Sequence, residues 1–187
     1  MRSYRFWLLA FIVASFVSLT AQPAFADPAD DLVAVKKAFQ NVSSVHIDFK
    51  RQSESGSLDM IGADKVHWKL STGMEMIEIG HQSWLGMGGR WMQRPEAPAQ
   101  AESMMQGFRT LNLKGSDIRK DDKVTDKGMT MVNGVPARKY HIVNKENGST
   151  FDLLVGANKL PLQYTSSDGD TWTFSQYNSV ADIKPPM

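Results

Sequence analysis

Hydrophobic and polar positions change period several times along this chain. From Pro28 onward, Leu32, Val35, Ala38, Phe39 and Val42 recur at the spacing of one helical face. Asp30 and Asp31 stand in the first turn, where the helix dipole favours negative charge. The pattern predicts an amphipathic helix. After Ser43-Ser44 the period shortens to two. Val45, Ile47 and Phe49 alternate with His46, Asp48 and Lys50, as in a strand with one buried and one wet face. Val66, Trp68 and Leu70 alternate in the same way with His67 and Lys69. Shorter strands are predicted over 74–79, 83–85 and 90–93, punctuated by Gly73, Gly80, Gly86, Gly88 and Gly89.

The meander breaks at Pro95-Glu96-Ala97-Pro98. Ala101, Met104, Met105, Phe108 and Leu111 then return to helical spacing and predict a second amphipathic helix. A polar loop rich in Lys and Asp leads to Met129, after which alternation resumes over 139–143, 150–155, 160–165 and 171–177. Asn133-Gly134, Asn147-Gly148 and Asp168-Gly169 fall between these runs, and such pairs supply the positive φ angles of tight hairpins. No fixed-period repeat, low-complexity tract or linker divides the chain. The expectation is a single α+β domain, an antiparallel sheet of many strands preceded by one helix and interrupted by another.

The first residues set the compartment in which this domain works. Arg2 and Arg5 precede an apolar run from Trp7 to Leu19, and Ala24-Phe25-Ala26 places small residues where a signal peptidase reads. The run is shorter than the roughly 20 apolar residues of a membrane-spanning helix. A cleaved signal over 1–26 and a soluble, exported domain over 27–187 are therefore expected, without a transmembrane anchor. Cysteine is absent, so neither a disulfide framework nor a lipid-attachment thiol is available. The chain carries 21 Lys+Arg against 20 Asp+Glu, and loss of Arg2 and Arg5 leaves it within one charge of neutrality. That balance, with no basic cluster beyond the mixed segment 119–123, excludes a nucleic-acid surface.

A large antiparallel sheet must cover its apolar face, and two helices have limited area to do so. If the sheet curves, an apolar cavity is left for a hydrophobic ligand. The side chains best placed to line it are Phe49, Trp68, Met76, Trp84, Trp91 and Tyr140, with Leu154, Tyr164 and Trp172 from the later strands. Met104, Met105 and Phe108 would face them from the second helix. The alternative is that the same residues close into an ordinary core. Met74-x-Met76 and Met129-x-Met131 admit a third reading, since each puts two thioethers on one strand face as a Cu(I) carrier would. The four histidines are scattered without metal-ligand spacing, and read as surface residues. No G-x-S-x-G elbow occurs, and Asp30-Asp31 and Asp121-Asp122 read as capping and solvated groups. Neither an enzyme nor a cofactor or metal site is expected.

The order of elements and several local strings resemble the LolA-like superfamily, the periplasmic outer-membrane lipoprotein carriers and their lipid-binding relatives. Val42-Ser43-Ser44-Val45-His46-Ile47-Asp48-Phe49 is similar to that family's passage from first helix to first strand, and Trp68 falls where the carriers have a Trp facing the cavity. Gly80-His81-Gln82-Ser83-Trp84-Leu85 resembles a family hairpin strand. Leu160-Pro161-Leu162-Gln163-Tyr164 and Ile183-Lys184-Pro185-Pro186 resemble the closing segments. The resemblance implies a strongly curved antiparallel half-barrel, open and covered by helices, whose cavity takes acyl chains. It further implies a monomeric periplasmic carrier with a lipid or acyl-chain ligand and a donor or acceptor protein at the inner or outer membrane. Ile61-Gly62-Ala63-Asp64 stands where the carriers have an Arg, so the resemblance extends to fold and lipid-like ligand rather than to lipoprotein trafficking. An envelope sensor or interaction module on the same fold is the rival reading.

Overall fold

The computed structural model describes residues 27–62, 64–94 and 122–187. One helix lies among them, α1 (Pro28–Gln40). Its start is set locally: the Asp27 carboxylate accepts a hydrogen bond from the Ala29 N–H at 3.0 Å, and Pro28 occupies a first-turn position where no helical donor is lost. Leu32, Val35 and Phe39 form its buried stripe, as their spacing predicts. The second helix and its Met104, Met105 and Phe108 lie outside the described residues.

Eleven strands follow α1. The first six are β1 (Ser44–Lys50), β2 (Ser55–Ile61), β3 (Lys65–Leu70), β4 (Met74–Ile79), β5 (Gln82–Met87) and β6 (Arg90–Arg94). The other five are β7 (Lys123–Val132), β8 (Val135–Val143), β9 (Thr150–Val155), β10 (Pro161–Ser166) and β11 (Thr171–Ser175). They make one sheet in the order β6-β5-β4-β3-β2-β1-β11-β10-β9-β8-β7, antiparallel throughout. Two meanders are thus joined through β1 and β11, where His46 stands opposite Ser175 and Lys50 opposite Thr171. The sheet is curved and open, the half-barrel that the resemblance implies. Asn133 and Gly134, with φ of 48° and 80°, turn β7 into β8 in two residues, as an Asn-Gly pair allows.

Three expectations need correction. Residues 55–61, passed over as a strand, form β2, because a central position between β1 and β3 outweighs the low strand propensity of Gly56, Ser57 and Asp59. The polar stretch before Met129 is the first half of β7, its register displaced by a bulge between Asp126 and Met129. The last strand stops at Ser175, since Gln176 turns to a φ of 49°.

Register shows how the core is laid. Phe49, Trp172, Tyr164, Leu153 and Tyr140 stand opposite one another in a row across β1, β11, β10, β9 and β8. The Phe49 and Trp172 rings stack at 5.1 Å between centroids. A second row, Ile47, Leu58, Trp68, Met76, Leu85 and Met92, crosses β1 to β6 on the same face. We call this face, on which α1 packs, the inner face. Phe39 of α1 meets Phe174 edge-on at 6.0 Å and Tyr177 at 6.3 Å. Full burial of each such side chain stabilises the fold by about 1.5–3 kcal/mol.

Candidate functional site

The inner face collects six of the twelve side chains expected to line a cavity. Phe49, Trp68, Met76, Tyr140, Tyr164 and Trp172 share it, because each sits on the same phase of its strand. Trp84, Trp91 and Leu154 do not. Trp84 stands opposite Ile77 and Trp91 opposite Gly86, one residue out of phase with Met76 and Leu85, so both point to the outer face. Leu154 also points outward and packs with Val132, Ala137 and Leu162 in a small separate cluster. The physical reason is local: β5, β6 and β9 carry apolar residues on both phases, so apolar character alone does not assign a face.

The two halves of the inner face are covered differently. Over β8 to β11, α1 supplies Leu32, Val35 and Phe39, and the residues beneath are closed into a core. Over β3 to β6, Leu70, Met74, Met76 and Leu85 are only half-buried. Trp68 lies between these regions, its ring 5.6 Å from that of Phe49. It is 8% exposed, and its buried indole N–H has no hydrogen-bond acceptor among the described residues. Buried polar groups are nearly always paired, since an unmet donor costs about 1–3 kcal/mol. An unmet N–H on an apolar face is therefore a feature that a bound acceptor would satisfy.

A recess of about 360 Å³ opens at the C-terminal end of α1, within the size range of small-ligand pockets. Phe39, Val42, Val45 and Met60 give it apolar walls, and Ser43, Ser44 and Gly62 line it as well. The phases of Phe39, Val42 and Val45 were visible in the sequence; Met60, in the unforeseen strand β2, was not.

A polar cluster anchors α1 to the sheet. The Asp31 carboxylate accepts hydrogen bonds from the Tyr140 hydroxyl at 2.8 Å and from Lys159 Nζ at 2.9 Å. Arg138 lies beside it and donates to Asp126, from Nε at 3.0 Å. Burial pushes the Asp31 carboxyl up, but the hydrogen bonds from Lys159 and Tyr140 outweigh it and hold the group below the usual carboxylate range. Burial, reinforced by the bond to Asp31, pushes the Tyr140 hydroxyl up. Asp31 thus acts as a tether, where the sequence suggested only a helix-capping charge. Such a cluster fixes the helix against the sheet.

Three of the four histidines are paired with carboxylates between strands of the outer face. His46 meets Asp59 at 2.6 Å, His67 meets Glu75 at 2.8 Å and His141 meets Asp152 at 2.8 Å. Among the described residues no three His, Cys, Asp or Glu side chains converge to hold a metal ion. The two methionine pairs are separated as well: seven strands of the sheet lie between β4, with Met74 and Met76, and β7, with Met129 and Met131.

No protein-family model matches the sequence, and no curated protein matches it. Solved structures share the fold. Lipoprotein LppX of Mycobacterium tuberculosis superposes with a TM-score of 0.60 at 11% identity, over 84% of this chain and 98% of that one. LprF of Mycobacterium bovis superposes with a TM-score of 0.65 at 14% identity, over 85% of this chain and 96% of that one. At these identities the likeness establishes the fold, which is the LolA-like half-barrel.

Proposed function

We propose that this protein is an exported, non-catalytic binding or carrier protein of the periplasm, and that it holds a lipid or acylated molecule against its inner face. One observation carries the reading: the half of that face over β3 to β6 stays partly open, and beside it a buried indole N–H at Trp68 lacks an acceptor. An acyl chain fits the apolar strip, since each methylene taken out of water contributes about 0.8 kcal/mol. Its ester or carboxyl oxygen fits Trp68. The mechanism is burial without bond chemistry, and release requires a membrane or a partner protein. Export follows from the signal pattern, with Asp27 as the first residue of the mature chain.

Protein purified from its own host without detergent and weighed by native mass spectrometry tests this directly. A mass excess of one lipid, lost on organic extraction, is the expected result. A bare polypeptide mass, together with no binding of a fluorescent fatty acid, would rule the reading out. Met76→Glu should lower probe affinity by tenfold or more while circular dichroism stays unchanged, because a charge on the open strip must be desolvated by the chain. Lys37→Glu, on the exposed side of α1, should leave affinity unchanged.

A further inference from the structure

The hairpin of β5 and β6 is unlike the rest of the sheet. Among the described residues it ends the strand order on one side, with β6 the last strand of its meander. Its two faces are both apolar. On the outer face Trp84 pairs across the sheet with Ile77, and Trp91 lies over Gly86, where a Cβ would meet three ring atoms at 2.9–3.0 Å. Glycine at that position lets the indole rest flat on the strand. On the inner phase Met87 and Met92 are 64% and 63% exposed, at and beside the Gly88-Gly89 turn. Arg90 and Arg94, both exposed, accompany them, and from Ile79 to Arg94 there is no Asp or Glu. In a chain almost neutral overall, this segment carries positive charge and no negative charge.

The bland account is that arginines blunt an open sheet edge against pairing with another chain. That explains the charge and leaves the apolar groups unexplained, since four large apolar side chains in one short hairpin add to the hazard. Tryptophan, long flexible apolar side chains and arginine together are what an anionic membrane surface accommodates. Indole rings sit at the headgroup level, methionine enters the acyl boundary, and guanidinium groups meet lipid phosphates.

We propose that the β5–β6 hairpin docks this protein on an anionic bilayer surface. The inference goes beyond ligand binding on the inner face: Met87 and Met92 share that face's phase, but lie at the sheet's end, beyond Trp68, Leu70, Met74, Met76 and Leu85.

Co-sedimentation with vesicles tests the surface. The purified protein should bind vesicles of phosphatidylcholine mixed with phosphatidylglycerol, bind pure phosphatidylcholine weakly, and detach as salt rises. The double variant R90Q/R94Q should bind the anionic vesicles about tenfold or more weakly, since each cation near such a surface is worth about fivefold. The double variant M87S/M92S should also lose binding. K37Q/K145Q, the same charge change elsewhere, should not. Met76→Ser, on the ligand strip, should bind the anionic vesicles as the wild type does, which separates this surface from the ligand site. No vesicle binding, or equal losses in R90Q/R94Q and K37Q/K145Q, would overturn the proposal. So would a dimer in solution that M87S/M92S disperses while vesicles are ignored, because the hairpin would then pair with a second copy of the chain.

Discussion

At the scale of single residues, charge and hydrogen bonding decide how firmly α1 is held. Asp31 is depressed below the ordinary carboxylate range by Lys159 and Tyr140 acting against burial. A carboxyl lowered in the folded state contributes stability that is present above its unfolded pKa and disappears as pH falls through the lowered value. Asp126, hydrogen-bonded chiefly by Arg138, shifts in the same direction. Asp31→Asn should therefore cost about 1 kcal/mol at neutral pH, by replacing the charged acceptor that Tyr140 and Lys159 share with a neutral amide. Wild type and variant should converge in thermal melts as the solution is acidified below the carboxylate range. Equal melting temperatures at pH 7 would show that the cluster carries no weight. Trp68 is the second residue to test. Trp68→Phe keeps an aromatic ring against Phe49 and removes the unmet donor, a gain that offsets part of the packing lost with the smaller ring, and it should weaken a fatty-acid ester more than an alkane probe. Equal loss for both probes would reduce Trp68 to apolar wall.

At the scale of elements, the same alternation that predicts β1 and β3 fails for β2, and the failure has a physical source. Gly56, Ser57 and Asp59 lack strand propensity, yet β2 is required to bridge two apolar strands, and its Leu58 and Met60 are buried between them. Gly56 is there because no side chain fits: a Cβ would come within 2.1 Å of the Lys69 carbonyl oxygen and 2.9 Å of the Phe49 ring. Gly56→Ala is expected to destabilise by about 1–3 kcal/mol, the range for forcing atoms into a packed site. Urea melts check this, and a neutral result would mean that β3 can move aside. The helix α1 was legible because its buried stripe, proline and acidic first turn agree. The inner-face residues were legible where one phase is apolar and the other polar, as in Val45-His46-Ile47-Asp48-Phe49. Where neighbouring positions are both apolar, as at Met76-Ile77 and Leu153-Leu154, only register decides, and it puts Trp84, Trp91 and Leu154 on the outer phase. Pairings between residues more than a hundred positions apart, such as Asp31 with Lys159, leave no local trace at all.

At the scale of the whole molecule, the sheet is unevenly covered. Its centre is closed: β1 and β11 place Val45, Ile47, Phe49, Trp172 and Phe174 in the core, and α1 covers the strands beyond them. Its β6 end carries mostly exposed side chains. Local opening free energies follow buried apolar contact, so amide hydrogens should exchange slowest in β1, β2 and β11 and fastest in β5 and β6. Under the proposed function, the same gradient sets where a ligand should settle. A fatty acid that settles on the partly open strip should slow exchange in β3, β4 and β5 and leave β8 and β9 unchanged, since the latter are already closed by α1. Stabilisation follows mass action: at a ligand concentration of a hundred times Kd the folded state gains about 2.7 kcal/mol. For a domain of this size each kcal/mol raises Tm by about 2–4 °C, a shift that calorimetry resolves easily. Hydrogen–deuterium exchange with and without the fatty acid checks both parts. Protection confined to β8 and β9 would move the site under α1, and a Tm that ignores the ligand would leave the strip as unfilled sheet.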